Sequence, residues 1–237
     1  MESIQVTARR AGALYFVFML GGLVDMFGFS GFVVAGNAAA TARNITAAEP
    51  VYRLSILTDV VTLVLFLPVV VTLYDLLQGV GRRLARLMVV LVLVGVAVGL
   101  AGVLGKVAAL TVLDARPQSV LTEPQRAALA LACVRTNGDA NAVAGIFWGL
   151  WLLPFGTLVM RSGYLPRWLG VLLLPAGVGW VASSATRIAL PAYAEAVSRA
   201  TMPLGLGELP IIFWLLLKGA PSPLGVETER SQGGGAP

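Results

Sequence analysis

Residues 11–34 read AGALYFVFMLGGLVDMFGFSGFVV, an apolar run long enough to cross a bilayer as a helix and interrupted by one carboxylate, Asp25. At about 1.5 Å of rise per residue from Ala11, that carboxylate lies roughly 20 Å into the run, beyond the bilayer midplane. A lone charge there costs about 2.5–3.5 kcal/mol on insertion scales, so the other spans are expected to supply partners. Gly21, Gly28 and Phe32 share its helical stripe, and small residues beside a charge let a neighbouring helix approach.

Five further apolar runs follow, at about 51–77, 87–113, 142–160, 169–189 and 201–217. The chain is 57% hydrophobic and 12% charged, against about a quarter charged in soluble proteins. The fold expected is therefore an all-α integral membrane protein, a six-transmembrane-helix bundle whose first partner is the lipid bilayer. Residues 1–10 form a leader, 11–218 the membrane domain and 219–237 a polar tail expected to be disordered. Because the first run is far longer than the 7–15 residues of a signal h-region, it is read as an uncleaved span.

The net charge is +5, but the bases cluster at the ends of apolar runs: Arg9–Arg10, Arg82–Arg83–Arg86, Arg161 with Arg167, and Lys218. That is the positive-inside pattern and not a nucleic-acid footprint. It puts both termini on the cytoplasmic side of a multi-pass protein of the plasma membrane. The chain has no histidine, which removes imidazole-ligated haem, HExxH zinc sites and Ser–His or Cys–His nucleophiles. No cofactor, metal or catalytic residue is assigned, and the single Cys133 is read as a small apolar side chain.

Between the runs, residues 36–49 are expected to be an external loop and 78–86 a short cytoplasmic turn. Thr122 with Gln125 makes a capping box. It predicts a short amphipathic helix over 123–135, lying on the outer surface or extending span four, with a break at Thr136-Asn137-Gly138-Asp139.

The polar residues inside the spans fall into stripes. The second run carries Tyr52, Ser55, Asp59 and Thr62, the third Gly95, Gly99, Gly102 and Lys106, and the fourth Asn141, Gly145 and Gly149. Lys106 either snorkels to the interface or forms an ion pair. Arg53, Arg187 and Glu208 lie at similar depth in the outer half. Pairing is the economical arrangement, so one network of Asp25, Arg53, Asp59, Lys106, Asn141, Arg187 and Glu208 is expected to line a pocket open outward.

Several phrases also carry a likeness. RSGYLPRWLGVL at 161–172, RAGALY at 10–15, the Asn44-Ile45 and Tyr52-Arg53 stretch, and the closing WLLLKG at 214–219 resemble the bacterial membrane family called domain of unknown function 4386, over about Arg9 to Gly219. The resemblance implies a multi-pass membrane domain without established activity and supplies no site residues. The leading functional reading is a binding or sensory module for a small polar or amphipathic ligand. A proton- or ion-coupled transporter is the alternative, although the sequence has no internal repeat or broken-helix pair. An intramembrane hydrolase using Asp25 with Asp59, or Lys106 with Ser183 or Ser184, comes third. Charges that only specify helix packing are the counterpart to all three.

Overall fold

A computed structural model of the chain describes residues 3–29, 31–114 and 121–220. Its elements are α1 (Ile4–Gly28), α2 (Ala38–Ala47), α3 (Glu49–Leu113), α4 (Glu123–Leu150), α5 (Leu152–Arg161), α6 (Arg167–Ala189), α7 (Ala194–Gly205) and α8 (Leu209–Leu217), with 3-10 turns at Pro191–Tyr193 and Leu206–Glu208. No strand occurs among the described residues. Four helical stretches are long and apolar enough to cross a membrane: Glu49–Leu113, Glu123–Arg161, Arg167–Ala189 and Pro191–Leu217. Their outer faces stay apolar, with Leu57, Leu104 and Val178 each more than half exposed, as lipid-facing helices require and soluble ones avoid.

The longest helix is broken only at Gly81, where φ −171° and ψ 85° leave the helical region. Its two arms fold back on each other, so that Leu63 stands 3.0 Å from where a Cβ on Gly99 would lie. The expected turn at 78–86 is thus one residue wide, because the arginines and leucines around Gly81 keep helical geometry. At this end of the bundle Tyr164, in the loop between α5 and α6, donates to the carbonyl of Leu76 at 2.6 Å. Burial there pushes its phenol up to about 12.

Two antiparallel pairs are held by glycine. Along the second arm of α3, a Cβ on Gly95 would meet Trp148, one on Gly102 would meet Ala140 at 2.6 Å, and one on Gly105 would meet the Cys133 carbonyl and the Asn137 amide. Along α4 and α5 against α6, Gly145 faces Ser184, Gly149 and Gly177 each lie against the other's carbonyl, and Gly156 and Gly170 do likewise. In lipid, where apolar surface gives no drive to associate, such backbone contact is what packs helices. An aromatic stack fills the centre: Phe18 on Phe66 at 4.3 Å, and Phe66 and Phe155 each 5.2 Å from Trp151.

Several boundaries depart from the sequence reading. The first helix begins at Ile4, where the Ser3 hydroxyl accepts from the Val6 amide at 3.4 Å, and it ends at Gly28 instead of 34. The segment 36–49, expected as a loop, contains α2, capped by the Asn37 side chain accepting from the Ala40 amide at 2.9 Å. Of the two placements expected for the helix over 123–135, the structure shows the extension of span four, since α4 runs unbroken from Glu123 to Leu150. Its start is as read, with the Thr122 amide donating to Gln125 at 2.8 Å. Residues 136–139 stay helical because Asn137 is buried against the glycines of α3, and packing overrides their turn preference. At Trp151, where α4 passes into α5, the backbone stays helical at φ −66° and ψ −24°, and the proline at 154 removes one N–H from the ladder. Residues 221–237, most of the expected tail, lie outside the described residues, as do 115–120.

Gly149→Leu would push a side chain into the Gly177 carbonyl, and overpacking of this kind should lower stability by about 1–3 kcal/mol. Gly79→Ala meets nothing within 4 Å and should be neutral or stabilising by up to about 1 kcal/mol. Thermal unfolding of the purified chain in detergent measures both.

Candidate functional site

The α3 hairpin and α1 bring three of the charged residues together. Lys106, on the second arm, places its Nζ 2.6 Å from Asp59 Oδ2 on the first arm and 3.8 Å from Asp25 Oδ1 on α1. The Lys106 and Asp59 side chains are only 14% and 11% exposed, whereas Asp25 is 44% exposed. The ammonium is therefore engaged rather than snorkelling, and one base faces two acids. Thr62 supports the geometry from the other side, its hydroxyl packed so closely against Gly21 of α1 that no larger residue fits.

Beside this group lies a cavity of about 220 Å³, lined by Phe29, Gly31, Phe32, Val33, Tyr52, Ser55, Lys106 and Val134. Its outer wall is the segment after α1. Gly31, at φ +107°, turns that segment back over the bundle in a conformation that favours glycine. The α2 helix then clips it down. Asn44 Nδ2 donates to the Gly31 carbonyl at 3.1 Å, and the Thr41 hydroxyl accepts from the Val34 amide at 3.0 Å. Phe32 meets Tyr52 edge to face at 5.1 Å, and both pack with Ile45 and Leu110 in a small separate core. Tyr52 is 2% exposed, yet its hydroxyl has no hydrogen-bond partner among the described residues. The equally buried Ser55 donates to the Tyr52 carbonyl at 2.8 Å.

The expected single network is divided, because the remaining charges sit on helix faces that do not converge on Lys106. Glu208 stands apart at the 3-10 turn before α8, accepting from the Tyr15 hydroxyl at 2.5 Å and from Trp180 Nε1 at 3.0 Å. No base lies within ion-pair distance of it among the described residues. Arg53 turns outward to Glu49, one helical turn away, at 2.7 Å. Arg187 reaches to 3.0 Å from the position a Cβ on Gly138 would take. Asn141 lies on α4 and makes no side-chain hydrogen bond shown among the described residues. Ser184 packs against Gly145, and the Lys106 ammonium is engaged by Asp59.

Among the residues the sequence reading did not single out as site members are four aromatics: Phe29, Phe32, Tyr15 and Trp180. A phenol or indole within an apolar span needs a partner for its polar atom, and that was the available signal for Tyr15 and Trp180. Tyr52 and Ser55 were visible as parts of the polar stripe, while the phenylalanines carried no mark distinguishing a pocket wall from a lipid face.

Lys106→Met would strand two carboxylates beside each other and should cost about 3–5 kcal/mol, as breaking a buried pair does. Glu49→Gln, which breaks an exposed pair, should cost about 0–1 kcal/mol. Unfolding midpoints of the two variants, measured side by side, check the contrast.

A stretch of 74 residues, 31% of this chain, is 38% identical to an uncharacterized protein of Archaeoglobus fulgidus and covers 43% of that protein, so the chain spans less than half the length of the curated relative it matches. No solved structure matches. The family model described as "Domain of unknown function (DUF4386)" matches residues 10–219, nearly the whole described chain, and the protein is a member of that family.

Proposed function

We propose that this is a six-span protein of the cytoplasmic membrane, both termini inside, whose outward pocket binds a small polar or amphipathic ligand as a binding or sensory module. The count follows if α1 and the two arms of α3 are each one crossing, joined by the α4–α5, α6 and Pro191–Leu217 stretches. On that threading Arg9, Arg10, Arg82, Arg83, Arg86, Arg161, Arg167 and Lys218 share one side, which the positive-inside rule makes cytoplasmic. The cavity beside Lys106 then opens at the other face.

The observation that carries the reading is Tyr52, which lines that cavity and whose buried hydroxyl has no hydrogen-bond partner among the described residues. An orphaned buried polar group costs about 1–3 kcal/mol, and a site that keeps one beside a cavity is suited to a ligand that satisfies it. Transport remains a second reading on a different observation. Glu208 is a carboxylate held by two uncharged donors at a break between α7 and α8, the type of place where coupling ions bind in transporters.

In a Cys133→Ala background, Ala39→Cys should react with an impermeant maleimide added outside intact cells, and Gly79→Cys should not; the reverse pattern overturns the orientation. For the pocket, a compound that raises the melting temperature of the wild-type chain should lose its effect in Val33→Trp, which crowds the cavity mouth. Stabilisation follows RT ln(1 + [L]/Kd), about 2.7 kcal/mol at a hundredfold excess over Kd. Proton flux in reconstituted vesicles, abolished by Glu208→Gln with no such compound found, would favour transport instead.

A further inference from the structure

We propose that the pocket is built for an uncharged ligand that presents a hydrogen-bond acceptor on a compact apolar body, an inference that rests on reading the cavity as a binding site. Two groups in its wall, Tyr52 and Lys106, keep protons to donate. Tyr52 has a hydroxyl with no partner among the described residues, and its ring is gripped by Phe32 and by a small core, so it is not free to swing to water. Lys106 spends one N–H on Asp59 at 2.6 Å, while Asp25 at 3.8 Å lies beyond hydrogen-bond distance, so an ammonium carrying three donors has some to spare. The other polar lining groups offer a ligand no free proton. The Gly31 carbonyl receives the Asn44 amide, and the Ser55 proton goes to the Tyr52 carbonyl.

Charge narrows the class further. One ammonium faces two carboxylates, so an anionic ligand would add to an excess of negative charge. A cationic one would meet the Lys106 ammonium at the cavity wall, with Asp59 turned to that same ammonium. In a site of low dielectric either choice is costly, and a neutral acceptor avoids both. Phe29, Phe32 and Val134 supply apolar walls for the body of the molecule. The cavity of about 220 Å³ is below the roughly 300–1,000 Å³ typical for drug-sized ligands, so that body is small.

Four probes sharing one phenyl ring separate these possibilities: acetophenone as the neutral acceptor, benzoate as the anion, benzylammonium as the cation and ethylbenzene as the apolar control. Each is titrated against the purified full chain while its melting temperature is followed. Acetophenone should stabilise, and the other three should do so weakly or not at all. Tyr52→Phe should keep or raise the melting temperature without ligand, since removing an unpaired hydroxyl strands nothing. The same variant should bind acetophenone about three- to tenfold more weakly.

If benzoate or benzylammonium is the stabilising probe, the pocket stands and the proposed ligand class is wrong. If ethylbenzene matches acetophenone, or Tyr52→Phe leaves acetophenone affinity unchanged, the donor role of Tyr52 is wrong. A Tyr52→Phe chain that melts lower without ligand shows that the hydroxyl has a structural partner and overturns the argument at its start. If none of the four shifts the wild type, the binding reading itself fails, and the ligand class with it.

Discussion

Close approach of backbones is the constraint on which the rest of this bundle depends. Apolar surface gains nothing by leaving lipid for protein, so helices in a membrane hold together where small residues bring main chains into contact. Here that contact is concentrated in two seams, the glycines at 95, 102 and 105 against α4, and the reciprocal Gly149–Gly177 and Gly156–Gly170 contacts against α6. The first seam ends at Lys106. By drawing α4 onto the second arm of α3 it encloses the base from one side, while the first arm delivers Asp59 from the other.

The break at Gly81 makes the second requirement of that geometry possible. Without a reversal there, Asp59 and Lys106 would lie far apart along one rod. With it, the arms run antiparallel and the ion pair closes near their open end. The pair is thus both a product of the hairpin and a condition on its register, since a slip of one residue would turn Lys106 toward lipid at the cost of an unpaired charge. The cavity follows from the same end of the hairpin, where the arms leave a gap that Phe32 and the clipped segment after α1 cover incompletely.

Tyr15 and Glu208 show a different solution to the same problem of a charge at membrane depth. Asp59 has a cation; Glu208 has a phenol and an indole, each reaching from a different helix. Tyr15 belongs at once to this contact and to the aromatic stack around Trp151, 5.9 Å away, so the carboxylate is tied into the packed centre rather than into the charged group near Lys106. The polar interior therefore has two separate sites, one bearing a base and one without.

Much of this was legible in the residues themselves. Apolar runs of bilayer length, basic clusters at their ends, the glycine stripe ending in Lys106 and the capping box at Thr122 each state a local physical preference, and each reappears in the helices. Depth along a span is also a local quantity, which is why the acids Asp25, Asp59 and Glu208 and the bases Arg53, Lys106 and Arg187 were all expected at one level. Azimuth is not: which face of a helix meets which neighbour is decided by packing. Only the tertiary structure separated Glu208 from the Lys106 group, turned Arg53 outward to Glu49, kept residues 136–139 helical against the α3 glycines, and left the buried Tyr52 hydroxyl without a partner among the described residues. Those outcomes depend on contacts between residues far apart in sequence, and no local preference encodes them.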